Sequence, residues 1–129
     1  MSSEEKMQQH EKAATAYQNT YVTNMSGFEI VTELYKGMIK NIHQAKTAYK
    51  AGKLEEMCEL NRKTFKILIA LQSHLDFTQG GEAAVFLNKL YNHIFLSLAK
   101  ILRHSNLETE YDRLIEILQP ICKQWAKLS

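Results

Sequence analysis

The sequence predicts an all-α fold: an antiparallel up-down four-helix bundle preceded by an N-terminal arm or short helix. Three observations carry this. The 129 residues include one Pro and five Gly, too few for the many turns of an all-β chain. Ala, Leu, Lys, Glu and Gln, all strong helix formers, are abundant. Apolar residues recur at steps of three and four along segments separated by short breaks. A chain of this length forms one domain whose core needs neither disulfide nor metal. The boundaries read as an arm at 1–25 and a bundle at 26–129.

The arm is polar, with scattered apolar points at Ala13, Ala14, Ala16, Tyr17, Tyr21, Val22 and Met25. The first long helix opens at Ser26, where Glu29 three residues on completes a capping box. Phe28, Val31, Tyr35, Met38, Ile42, Ala45 and Tyr49 form its seam. Gly52 ends it by admitting a left-handed backbone. The second helix reads as 53–76, with a stripe of Leu54, Met57, Cys58, Phe65, Leu68, Leu71 and Leu75. Thr78, Gln79, Gly80 and Gly81 then mark a turn that needs positive φ.

The third helix reads as 81–104. The fourth starts near Ser105 or Asn106, with Ser105 and Glu108 as a second capping box. Its seam is Leu107, Tyr111, Leu114, Leu118, Cys122 and Trp125. Pro120 removes a ladder donor and predicts a kink near Glu116. Short connections between long helices make neighbours antiparallel.

The third helix is too apolar for its own core. A bundle helix needs roughly three apolar positions in seven, or about nine in twenty. Positions 83–102 hold 14, and only Lys89 and Lys100 are charged there. A surplus face of this kind binds a partner helix or is covered by the arm, and a displaceable arm does both in turn. The candidate contact residues are Tyr91, Ile94, Phe95, Leu98 and Leu102. Pattern leaves open whether Tyr91, Phe95, Leu98 and Leu102 face outward or the neighbouring stripe does.

Charge and chemistry exclude other classes. The net charge is +2, and Glu55, Glu56 and Glu59 interrupt the basic residues between Lys36 and Lys66, so no nucleic-acid partner is expected. The opening MSSEEKMQQHEK has no apolar signal region, and no apolar run of 18 residues exists. A cytoplasmic protein without membrane insertion is the expectation. Cys58 and Cys122 lie on helical stripes without CxxC spacing and read as reduced, inert core thiols. None of His10, His43, His74, His93 and His104 follows a carboxylate by three residues, and no HExxH occurs. No metal, cofactor or catalytic residue is predicted, so the chain is not read as an enzyme. Gly80-Gly81 lacks a phosphate-loop pattern. Glu82 suits a positive helix N-terminus, whereas Asp76 has no such role by sequence.

The string LDFTQGGE, residues 75–82, resembles the flagellar export chaperone family FliS. AYQNTYV at 16–22, ELYKGMIKNIHQAK at 33–46, Leu90-Tyr91 and Trp125 extend the resemblance over roughly 13–127. Asp76, Phe77, Gly80, Gly81 and Glu82 are its motif residues. Departures are Ser26-Gly27, where the family commonly has Ser-Pro, Ala14 in place of an aliphatic residue, and Pro120. The resemblance implies binding of flagellin's disordered C-terminal segment on the helical surface. This would prevent premature polymerisation and deliver the subunit to the flagellar export gate. It also implies that Tyr17 covers the groove and takes part in gate docking. The competing reading is a scaffold or adaptor module that self-associates, as a homodimer, through the same face; a metal or redox bundle enzyme is the third class.

Overall fold

The computed structural model describes residues 27–129. The arm, Tyr17 and the Ser26 cap lie outside them. Four helices follow: α1 at Gly27–Lys50, α2 at Leu54–Ser73, α3 at Phe77–Ala99 and α4 at Leu107–Leu128. A single 3-10 turn, Ile101–Arg103, stands between the last two. The all-α expectation holds.

Each helix boundary has a local cause. At the end of α1, Gly52 takes φ 74°, and the chain reverses on two bonds. The Lys53 amide donates to the Ala48 carbonyl at 2.8 Å, and the Gly52 amide donates to Tyr49 at 3.0 Å. This pair is a Schellman cap, which a glycine makes without strain. α2 stops at Ser73, short of the expected 76, because Asp76 opens the next helix instead. Its carboxylate accepts from the amides of Thr78 at 2.9 Å and Gln79 at 3.0 Å. The role missing for Asp76 in the sequence reading is therefore N-capping.

The expected turn at 78–81 is a helical turn, and α3 starts at Phe77 instead of Gly81. Gly81 supplies the positive φ, 53° with ψ −129°, and kinks the helix there. Gly80 serves a different need: a Cβ on it would meet the Ala84 Cβ at 2.9 Å. α4 is capped by Asn106, whose side chain accepts from the Thr109 amide at 3.1 Å. The Ser105–Glu108 capping box is thereby corrected. Glu108 lies instead 3.5 Å from Lys50 and 3.9 Å from Lys46, on α1. α4 continues through Pro120 to Leu128.

Contacts between α1 and α4 pair the start of each with the end of the other, and side chains of α2 meet those of α3. Phe28 stacks on Trp125, with centroids 6.0 Å apart, while Lys46 reaches Asp112 at 2.7 Å. Gln72 meets Asn88 while Phe65 meets Phe95. α1 makes the close backbone contacts, with α2 on one side and α4 on the other, and α3 stands further off. The core is Tyr35, Met38, Ile42, Met57, Leu68, Tyr91, Ile94, Tyr111, Leu114 and Leu118, with smaller residues around them.

Two seams need correction. Phe28 is exposed at the start of α1. On α2, Leu54 and Cys58 are exposed, and the buried set is Met57, Leu60, Asn61, Thr64, Leu68 and Leu71. Two polar side chains sit in this stripe because their hydrogen bonds are made. Asn61 accepts from the Tyr111 hydroxyl at 3.0 Å, and Thr64 donates to the Leu60 carbonyl at 3.2 Å. Counting apolar letters alone therefore rotates the stripe toward Cys58.

Replacing Asp76 with Ala leaves the first amides of α3 without their acceptor. We expect the unfolding free energy in urea to fall by about 1 kcal/mol, with Asp76→Asn close to the parent. Equal stability of Asp76→Ala and parent would remove the capping role.

Candidate partner-binding surface

α3 divides the predicted contact residues into two sets. Tyr91, Ile94 and Leu98 are buried in the core, 1%, 0% and 2% exposed. With Ala84 they form the stripe of α3 that faces the other helices, and Ile101 of the 3-10 turn is buried after them. Of the candidate contact residues, Tyr91, Ile94 and Leu98 therefore face the core, and the stripe of Tyr91, Phe95, Leu98 and Leu102 does not face outward as a whole. Phe95 and Leu102 remain at the surface, 38% and 67% exposed. Val85, Phe86 and Leu96 of α3 are exposed large apolar residues too, whereas Leu102 belongs to the 3-10 turn after the helix. The surplus of apolar residues in α3 is real and stays outside its core.

α2 supplies the other half of the surface. Leu54, Cys58, Phe65 and Ile69 follow at steps of four, seven and four, so they share one stripe. Leu54, Cys58 and Ile69 are exposed, and Phe65 is half-buried. Phe65 packs on Phe95 across the α2–α3 seam, with ring centroids 4.6 Å apart and planes at 43°. A concavity of roughly 830 Å³ lies beside this pair, lined by Leu54, Cys58 and Phe65 and edged by Glu55, Glu59 and Arg62. Towards the start of α3 the seam closes on amides: Gln72 Nε2 donates to Asn92 at 2.8 Å and to Asn88 at 3.2 Å.

The sequence reading missed Leu54, Cys58 and Ile69 as surface residues. The available signal was that α2 carries two adjacent stripes, one of them containing Asn61 and Thr64. Val85, Phe86 and Leu96 fall within the apolar excess counted over 83–102. Of the motif residues, Asp76 caps α3, Gly81 kinks it, and Gly80 and Glu82 are exposed beside the kink. Phe77 is the first residue of the helix.

The opposite edge of α3 is held to α4 by a polar cluster. Ser97 donates to the Glu110 carboxylate, and Arg113 binds both of its oxygens, at 2.5 Å and 3.2 Å. His104 Nδ1 lies 3.8 Å from the same group. The Arg113 guanidinium also reaches His93 Nε2 at 3.2 Å, and since guanidinium has only donors, that nitrogen accepts. The Arg113 bonds, assisted by Ser97, hold the Glu110 carboxyl down at about 2 against the desolvation that opposes them. Among the described residues no group of three or more His, Cys, Asp or Glu is placed to hold a metal. No helix among them is long and apolar enough to cross a membrane.

Comparison with known proteins agrees with the motif reading. A family model described as flagellar protein FliS matches residues 9–129. The flagellar secretion chaperone FliS of Campylobacter jejuni subsp. jejuni serotype O:6 is 31% identical over 104 residues, covering 78% of this chain and 78% of that protein. The flagellar secretion chaperone FliS of Vibrio cholerae serotype O1 is 30% identical over 103 residues, covering 80% of this chain and 75% of that one. Both relatives are named as chaperones and not as enzymes.

Glu110 makes a signed pH prediction. Its folded pKa lies below the ordinary 4.5, so its contribution is fully present above that value. It is lost as pH falls from about 4.5 towards about 2. Urea denaturation across this window should show falling stability in the parent and a flatter dependence in Glu110→Gln. Identical slopes would mean that the carboxylate is not held by Arg113 and Ser97.

Proposed function

The chain belongs to the FliS family, and from that premise we propose that it is a cytosolic flagellar secretion chaperone. Its cargo in this reading is the disordered C-terminal segment of flagellin. The observation that supports it best is the exposed apolar stripe of α2, joined across the seam by Phe95 of α3, with Leu102 exposed on the 3-10 turn that follows. An amphipathic segment of cargo lays its apolar side along this stripe and displaces water from it. While bound, that segment is unavailable for filament assembly.

Holding and release follow from the same energetics. A segment that orders on binding loses conformational entropy, so a large buried area yields a moderate net affinity. Moderate affinity suits cargo that must be handed on to the export gate. Tyr17, in the arm, covers the apolar stripe before cargo arrives and takes part in docking at the gate. Self-association through the stripe competes with cargo, so cargo peptide converts any homodimer to a one-to-one complex.

Two measurements test this reading. Calorimetry with a flagellin C-terminal peptide should give a clearly negative heat-capacity change and weak dependence on salt. A heat-capacity change near zero would overturn it. Phe95→Asp and Leu102→Asp should each weaken peptide binding by roughly tenfold or more while the far-UV helical signal persists. Ile94→Asp, in the core, should instead unfold the bundle. Undiminished binding by both surface variants would place the cargo elsewhere.

A further inference from the structure

The seam between α1 and α4 lies on the far side of the bundle from the α2–α3 stripe. Its two ends are built differently. At one end it is closed by ion pairs across the helices, Lys46 to Asp112 at 2.7 Å and Lys50 to Glu108 at 3.5 Å. At the other end it opens into a groove of roughly 620 Å³. Ile39, Cys122 and Ala126 give that groove apolar surface, and Lys36, Lys40 and Lys123 line it. No carboxylate lines it. Lys36 is shared with Glu33, 3.4 Å away, on the exposed side of α1. Lys40 and Lys123 have no ion-pair partner among the described residues.

We infer that this groove docks an acidic amphipathic helix of a partner protein, distinct from the cargo on the opposite face. Charge complementarity names the occupant. Glu33 at the groove's margin pairs with Lys36, but Lys40 and Lys123 lack the acids that close the seam at its other end, and an incoming helix supplies them. Its apolar side meets Ile39, Cys122 and Ala126, while its carboxylates meet Lys36, Lys40 and Lys123. The α1 wall, residues 36–44, spans about 12 Å at 1.5 Å per residue, the length of two helical turns. A groove between two antiparallel helices accepts the side-chain ridge of a third, read as anchors at i, i+3 or i+4, and i+7. Three lysines around an apolar floor are too sparse for a nucleic-acid stripe. Because the two faces are opposite, cargo and this partner bind together, whatever segment occupies α2 and α3.

The test uses the full chain and a labelled helical peptide of about 18 residues, with Leu at core spacing and Glu elsewhere. A matched peptide with Lys in place of Glu is the control. The Glu peptide should bind, more weakly as salt rises, and the Lys peptide should not. Lys40→Glu combined with Lys123→Glu should lower affinity roughly tenfold or more with the circular dichroism spectrum unchanged. Lys40→Gln with Lys123→Gln should fall between. Amide shifts in the full chain should cluster in 36–44 and 119–126. The inference is overturned by no binding of the Glu peptide, by equal binding of both peptides, or by unchanged affinity in the double variants. Shifts confined to α2 and α3 overturn it too, as does a dimer of the parent that the double variants abolish.

Discussion

The place of α3 depends on one buried hydrogen bond across the bundle. The hydroxyls of Tyr35 on α1 and Tyr91 on α3 meet at 2.8 Å, with their rings edge to face at 6.2 Å. Burial pushes both phenols above their ordinary range, so the pair is neutral at any physiological pH. Two hydroxyls satisfy each other there, and neither has an alternative in water. Removing the Tyr35 hydroxyl would leave that of Tyr91 buried and unpaired, which costs more than the bond itself contributes. The bond thereby sets which stripe of α3 turns inward. With Tyr91 fixed at the centre, Ile94 and Leu98 follow it into the core, and Phe95 is carried to the edge.

The other ties to α3 act at its flanks. Gln72 holds it to α2 through Asn88 and Asn92, and Glu110 holds it to α4 through Ser97. These are polar, directional contacts that specify rotation, whereas apolar packing alone would tolerate several rotations of so apolar a helix. α3 also stands further from its neighbours than α1 does. A helix placed by side-chain bonds while its outer face stays apolar leaves apolar surface exposed along the Phe65–Phe95 seam, where the cargo is proposed to bind. Among the described residues, α1 is packed closely on both sides and leaves a groove beside α4 where Lys40 and Lys123 lack acidic partners.

The four helices were legible because period and breaks are local. Gly52 was read correctly as a left-handed stop, and the seam of α4 came out as Leu107, Tyr111, Leu114, Leu118 and Cys122, with Trp125 half-buried. Start signals were less readable. Ser105 and Asn106 are both good caps, and only the chain path into α4 selects Asn106. Asp76 gave no signal because the helix it caps begins before the glycines that seemed to forbid one. One turn fits between Asp76 and Gly81, with the kink placed at the residue that tolerates positive φ.

The candidate surface was legible as an excess and illegible as a location. That α3 has more apolar residues than one core stripe can take follows from composition, and so does the absence of a spacing suited to catalysis. The motif at 75–82 carried the family. Which apolar residues stay outside was decided by tertiary partners. Tyr91 goes in because Tyr35 is opposite, and α2 turns Asn61 and Thr64 inward because Tyr111 and a backbone carbonyl satisfy them. Leu54, Cys58 and Ile69 are consequently left on the surface. Helical periodicity is a property of one segment, but the side that is buried depends on hydrogen-bond partners distant in sequence, which exist only once the bundle has closed.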